Sequence, residues 1–254
     1  MPFAICRLSV VAVRREADLT SEMTSQVRGG ERVEILETNG QWWRAGLLAD
    51  GYEGWVNSRQ FSAPGDTLPV AATIFTDDHC GSAEREEMRI ALPLGSPLPG
   101  FSDGRFTLGG EPWEWRGSVR SVPAGVPDKA SLFAYAKRFL SAPYLWGGRT
   151  VFGIDCSGFV QSVMAAFGIG LPRDSRLQAT QGDSIPNRAA SVPGDLAFFG
   201  TPELGIYHVG LLLPHGEIIH ASSMVRVDDM TDEGIRNRET GEVTHRTVEF
   251  RRVL

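Results

Sequence analysis

Between residues 9 and 61 the chain alternates short apolar runs with polar turns: RVEILETNG, then QWWRAGLLADG, then YEGWVNSRQF. Alternation of this kind, bounded by Gly, Asn and Asp, predicts strands, and the pairs Asn39-Gly40 and Asp50-Gly51 predict tight turns between them. Val33, Ile35, Trp43, Ala45, Trp55 and Val56 are the expected inward positions of a small barrel of about 60 residues. The apolar stretch Met1 to Val13, interrupted by Arg7, reads as a first strand. Beyond the break SAPGDTLP, residues 66 to 120 again show short strands and Gly/Pro turns with Trp113 and Trp115, a second and divergent barrel.

The pattern changes after the linker SVPAGVPDKA. SLFAYAKRFL places Leu132, Phe133, Ala136, Phe139 and Leu140 at helical spacing, and a second helix is expected from Cys156 to about Phe167 with a stripe of Phe159, Val160, Val163, Met164 and Phe167. Two strands follow, IYHVGLLL and EIIHASS, then a solvated loop, RVDDMTDEGIRNRET, and a last strand at HRTVEF. The expected divisions are therefore 1–65, 66–122 and 123–254.

Length supports several compact units, since 254 residues exceed the ~150 of a typical domain. A formal charge of −6 offers no basic face, so neither nucleic acid nor an anionic membrane is expected as a partner. Met1 to Val13 lacks a basic start and a cleavage site, and no run reaches the ~18 apolar residues of a membrane helix, so a cytoplasmic location is expected. Three scattered cysteines, Cys6, Cys80 and Cys156, argue against a disulfide framework.

Chemistry concentrates around Cys156. Asp155 is placed to cap the helix that begins there, and unpaired N–H groups and the helix dipole favour a thiolate at that address. His208 and His220 flank the reversal LPHGE, and their midpoint, 214, lies inside it, so the two side chains are expected opposite one another across a hairpin. Cys156 as nucleophile, His208 as general base and His220 fixing its tautomer follow the logic of a catalytic triad. Zinc ligation by the same three residues is the competing chemistry, and ordinary strand histidines beside a buried thiol are the structural alternative. No metal or cofactor is expected. Cys80, next to His79, has no ligand partners at suitable spacing and is read as a surface loop residue.

Two stretches resemble known families. TSQVRGGERVEILETNGQWWRAGLLADGYEGWV is similar to the bacterial SH3-like domain. APYLWGGRTVFGIDCSGFVQSVMAAFGIGLPRDSRLQATQG, with VPGDLAFFG and IYHVGLLL, resembles the catalytic block of NlpC-type cell-wall cysteine peptidases, a papain-like family that cleaves peptidoglycan stem peptides. The resemblance implies two small SH3-like β-barrels followed by an α+β papain-like domain. It further implies Tyr144 near the oxyanion, the Asp155-Cys156-Ser157 backbone at the substrate, and Asp174-Ser175 in the binding groove.

An SH3-like domain ahead of this block narrows the resemblance to γ-D-glutamyl-L-diamino-acid endopeptidases that require a free amino-terminal L-alanine. The expected partner is a murein peptide, L-Ala-γ-D-Glu-diamino acid, met during cell-wall recycling. A free ammonium needs an anionic pocket, for which Asp174 with Tyr52, and Glu22 as a further candidate, are the expected residues. An acyltransferase or amidase using the same Cys-His pair, and a peptidoglycan-binding scaffold with an incidental thiol, are the competing functions.

Overall fold

The computed structural model describes residues 1–67, 69 and 71–254. Two compact units divide the chain: residues 1–122 with 146–151, and residues 123–145 with 152–254.

In the first unit, β1 (Phe3–Ile5), β2 (Val10–Arg14), β3 (Met23–Arg28), β4 (Arg32–Asn39), β5 (Trp42–Leu47) and β6 (Glu53–Asn57) form one sheet in the order β1-β4-β5-β6-β2-β3. Its neighbouring strands pair antiparallel, and Val13, Val27, Val33, Ile35, Ala45, Leu47 and Val56 fill its core. Gly40 and Gly51 take positive φ at the two expected turns, a conformation that favours glycine. Of the adjacent pair Trp55-Val56 only Val56 is fully enclosed, because successive strand residues point to opposite faces. Met1 to Val13 yields two strands in place of one, β1 and β2.

The same unit continues with β7 (Ile74–Thr76), β8 (Cys80–Arg85), β9 (Met88–Pro93), β10 (Arg105–Leu108), β11 (Glu111–Arg116) and β12 (Val119–Ser121). They form a four-stranded sheet, β10-β11-β8-β9, and a pair, β12-β7, over a separate core of Ala83, Leu92, Leu98, Phe106, Leu108, Trp113 and Trp115. A short strand, β13 (Arg149–Thr150), also clusters here, and its Arg149 completes a buried ion cluster. Glu31 accepts from Arg28 Nη2 at 2.8 Å and from Arg149 Nη1 at 3.0 Å, while the Arg149 backbone N–H donates to Gln26 Oε1 at 2.8 Å. Burial alone would raise the Glu31 carboxyl, but the two guanidinium groups and the Arg28 N–H outweigh it and hold it down at about 2.

The second unit contains α1 (Lys129–Lys137), β14 (Gly153–Ile154), α2 (Cys156–Ala165), α3 (Ser175–Gln178) and β15 (Asp183–Ile185). Six further strands follow: β16 (Leu196–Thr201), β17 (Gly205–Leu213), β18 (Glu217–Ser222), β19 (Met224–Met230), β20 (Gly234–Arg236) and β21 (Val243–Arg252). They run in the order β21-β16-β17-β18-β19-β20, and β20 pairs back onto β21, closing a barrel with β15 on its outside edge. The inward face carries Ala197, Phe199, Leu212, Ile218, Met230, Ile235 and Phe250. Helix α2 packs over β17 and β18, and its expected stripe is fully enclosed.

Three sequence expectations change. RVDDMTDEGIRNRET is not a solvated loop, because it supplies β19 and β20, two staves without which the barrel would not close. Helix α1 buries Leu132, Tyr135 and Ala136, whereas Leu140 lies beyond its end and is exposed. The β17–β18 hairpin is centred one residue later than expected, so His220 faces Gly210, and His208 lies two residues along the same strand.

Candidate active site

Cys156 opens α2. Asp155 caps the helix, its Oδ1 accepting from the Gly158 N–H at 2.7 Å. The Asp155 carboxylate is itself held by Arg173, whose Nη2 donates to Oδ2 at 2.6 Å and whose Nη1 donates to Ser157 Oγ at 2.8 Å, both pairs buried. A carboxylate at a helix N-terminus satisfies orphan N–H groups but also puts a negative charge beside the thiol. Burial, then that charge, push Cys156 up to about 12. Burial thus opposes the thiolate that the helix address favours, which gives a base a part in activating it.

The base sits on β17. Between His208, opposite Phe199, and Ile206, opposite Gly200, the register slips by one, leaving Tyr207 as the extra residue of a bulge. Bulges re-aim the backbone. Here the Tyr207 carbonyl lies 3.9 Å from Cys156 Sγ, so nucleophile and base approach through adjacent residues of one strand. His208 is buried, and its basicity is pushed well below the usual histidine value by desolvation, then by His220 and His245. An imidazole and a thiol that burial holds towards their neutral forms, on elements joined at the Tyr207 carbonyl, suit general-base activation.

His220 reaches His208 diagonally, Nδ1 to Nε2 at 2.9 Å. The diagonal is possible because Gly210 stands opposite His220: a Cβ there would lie 2.7 Å from Ile218 Cδ1 and 3.0 Å from His220 Cβ. His220 Nε2 in turn lies 3.0 Å from Asp228 Oδ2, again one diagonal step, since Arg226 is the residue opposite His220. Asp228 is buried, yet His220, the Arg238 N–H and Arg226 hold its carboxyl well below the usual carboxylate range against the opposing cost of burial. His245 stacks on His208 at 4.2 Å between centroids, and burial first, then His220, press it down to about 4. Asp228, Arg173 and His245 escaped the sequence reading; a period-2 pattern through VRVDDM was the one available signal for the first.

The remaining expected residues fall as follows. Tyr144 is partly exposed, and its hydroxyl is raised to about 12 by burial, then by the charges of Cys156 and Asp155. Ser157 is buried and donates to Asp155 Oδ1 at 3.2 Å. Asp174 caps α3 without a side-chain hydrogen bond to it and is exposed; Ser175 begins the helix. Gln178 fastens α3 to the start of α2 by donating to the Ser157 carbonyl at 3.0 Å, and Arg176 fastens it to β17 by donating to the Ile206 carbonyl. Glu22 and Tyr52 belong to the first unit. Glu22 accepts from Trp146 Nε1 at 2.7 Å and pairs with Arg15, while Tyr52 packs half-buried against that unit's core. No group of three or more metal-ligating side chains with metal-binding geometry occurs among the described residues, and no helix among them is long and apolar enough to cross a membrane.

Comparison with known proteins gives concordant matches. Residues 141–247 match the NlpC/P60 family and residues 9–62 the bacterial SH3 domain. Gamma-D-glutamyl-L-lysine dipeptidyl-peptidase of Bacillus subtilis (strain 168) is 29% identical over 220 residues, 78% of this chain and 71% of that protein. Probable endopeptidase NlpC of Escherichia coli (strain K12) is 43% identical over 84 residues, 32% of this chain and 53% of that protein. The crystal structure of an NlpC/P60 family protein from Bacillus cereus superposes with a TM-score of 0.82 at 18% identity, covering 99% of each chain. The thiol at the start of α2 and the buried histidine on the strand whose Tyr207 carbonyl approaches it both lie inside the NlpC/P60 match, and the first sheet lies largely inside the bacterial SH3 match, so this chain carries a bacterial SH3 domain at residues 9–62 and an NlpC/P60 cysteine-peptidase domain at residues 141–247.

Proposed function

We propose that this peptidase hydrolyses the γ-D-glutamyl–L-diamino acid bond, to diaminopimelate or lysine, of murein peptides whose amino-terminal L-alanine is unblocked. The observation that carries the chemistry is the buried His208–His220 contact of 2.9 Å on the strand that touches Cys156. The substrate class is supported by the name of a relative 29% identical over 78% of this chain, a gamma-D-glutamyl-L-lysine dipeptidyl-peptidase. Release of a dipeptide from an amino end is the chemistry that name denotes.

In the proposed mechanism His208 Nδ1 takes the thiol proton as Cys156 Sγ attacks the γ-carbonyl carbon, giving a tetrahedral oxyanion. Tyr144 and the backbone at Cys156 are the proposed donors to that oxygen. Collapse breaks the C–N bond, His208 returns the proton to the leaving amine, and a thioester joins L-Ala-D-Glu to Cys156. Water, deprotonated by His208, then hydrolyses the thioester. Asp174 is the proposed counter-charge for the L-alanine ammonium, being an exposed carboxylate on a helix fastened to the start of α2. Glu22 and Tyr52 are kept as candidates for amine recognition.

Residues 66–122 are proposed as a second, divergent SH3-like barrel and residues 123–254 as a papain-like α+β domain. A cytoplasmic recycling role is the physiological proposal, because unblocked stem peptides are released fragments and not intact wall. The test is hydrolysis of L-Ala-γ-D-Glu-diaminopimelate beside its N-acetylated form. The free peptide is expected to yield L-Ala-D-Glu, and acetylation to cost at least tenfold in kcat/KM, the loss of a charged hydrogen bond worth about 1.5–3 kcal/mol. Equal cleavage of both forms would remove the free-amine requirement.

A further inference from the structure

We infer that Asp228 is a positioning residue that sets the direction of every proton in the chain Asp228–His220–His208, and so leaves the His208 Nδ1 lone pair open to accept from Cys156. The inference rests on the Cys156–His208 pair proposed above and adds a fourth group to it.

The reasoning is one of donor and acceptor counting. An ionised carboxylate only accepts hydrogen bonds, whereas a neutral imidazole has one donor and one acceptor nitrogen. Asp228 Oδ2 lies 3.0 Å from His220 Nε2, so that nitrogen carries the proton. Nδ1 of His220 is then the acceptor, and it lies 2.9 Å from His208 Nε2, which must donate. One proton on a neutral ring is spent on Nε2, and His208 Nδ1 is left as the base. Reversing any link would put a proton on His208 Nδ1 and leave no acceptor for the thiol.

The groups around each member favour this direction. Arg226 donates from Nη2 to Asp228 Oδ1 at 3.1 Å, and the Arg238 N–H donates to the same oxygen at 3.0 Å, so the carboxylate keeps its charge in a buried site. His220 is faced by His208, Asp228 and the edge of His245, and His208 by Phe199, His245 and His220. The three members sit on successive strands of one barrel face, each two residues off the register partner of the next. Geometry of that kind fixes ring orientation as well as protonation.

The experiment pairs a variant with a measurement that no merely structural role would move. In wild-type protein with 15N-labelled histidine, the ring resonances at neutral pH are expected to show Nδ1 unprotonated and Nε2 protonated on both His208 and His220. In Asp228→Asn, whose amide can turn its NH₂ toward His220 Nε2, both tautomers are expected to reverse. Peptidase kcat/KM is then expected to fall by 10²–10⁴-fold, the scale of a wrong-tautomer defect in catalytic triads. Asp228→Glu, which keeps the carboxylate, is expected to restore the wild-type tautomers and part of the activity. A wild-type His220 protonated on Nδ1, or on both nitrogens, overturns the inference, as does an Asp228→Asn enzyme of undiminished kcat/KM. The wild-type spectrum needs neither a variant nor a substrate, so it judges the relay even if the proposed peptide is not cleaved.

Discussion

Replacing Glu31 with Gln removes the carboxylate that binds two buried guanidinium groups, Arg28 and Arg149. The shift of the carboxyl from 4.5 to about 2 corresponds to about 3 kcal/mol of stability at neutral pH. Removing one member of a buried ion cluster costs about 3–5 kcal/mol, since the remaining charges lose their compensation without regaining water. Because the folded-state value lies below the unfolded one, this contribution is complete above about pH 5 and is lost as pH falls towards 2. All six tryptophans, Trp42, Trp43, Trp55, Trp113, Trp115 and Trp146, lie in the first unit, so tryptophan fluorescence reports its unfolding alone. At roughly 3 °C per kcal/mol for a unit of this size, Glu31→Gln should lower the fluorescence Tm at pH 7 by about 10 °C, with roughly half that difference or less at pH 3. A change below 2 °C at pH 7, or the same change at both pH values, would refute the electrostatic account of this cluster.

Gly210→Ala places a methyl group 2.7 Å from Ile218 Cδ1 and 3.0 Å from His220 Cβ, and should cut kcat by about tenfold or more by pushing His220 off its diagonal, with a Tm shift of only a few degrees. Unchanged kcat would show that His220 tolerates displacement. Arg173→Met takes the guanidinium from the buried Asp155 carboxylate next to Cys156. Urea unfolding of the second unit should lose about 3–5 kcal/mol, and iodoacetamide should alkylate Cys156 more slowly at every pH below 9, because the thiol is raised further. Alkylation at the wild-type rate would contradict the proposed balance of charges. His208 is depressed by burial, His220 and His245, so the ascending limb of kcat/KM for wild-type enzyme should lie below pH 6.5, and His245→Asn should move it to higher pH. A limb that stays in place would exclude His245 from tuning the base.

The parts of this molecule that announce themselves in sequence are those where local chemistry and pattern coincide. Asp155 before an apolar stripe gives the capped helix and hence the address of Cys156; Asn39-Gly40 and Asp50-Gly51 give the turns of the first sheet. His208 and His220 were legible as hairpin partners because LPHGE is an unambiguous reversal, though their diagonal offset depends on register that only the closed barrel sets. Asp228 was hidden by its surroundings. In RVDDMTDEG a charged residue reads as solvated, and nothing local reveals that a neighbouring histidine and two arginine residues, Arg226 by its side chain and Arg238 by its N–H, make burial of that carboxylate tolerable. Arg173 and Arg149 share this difficulty, since each finds its acid 18 or 118 residues away. The burial that works against the Cys156 thiolate is hidden for a related reason: a helix address is local, whereas desolvation is a property of the folded unit.

The central claim, that Cys156 attacks and His208 takes its proton, is tested most directly by following release of L-Ala-D-Glu from L-Ala-γ-D-Glu-diaminopimelate by mass spectrometry with wild-type, Cys156→Ala and His208→Ala proteins of equal Tm. Cleavage by wild type that falls by at least 10³-fold in both variants is the predicted result. Cleavage by Cys156→Ala at the wild-type rate would contradict it.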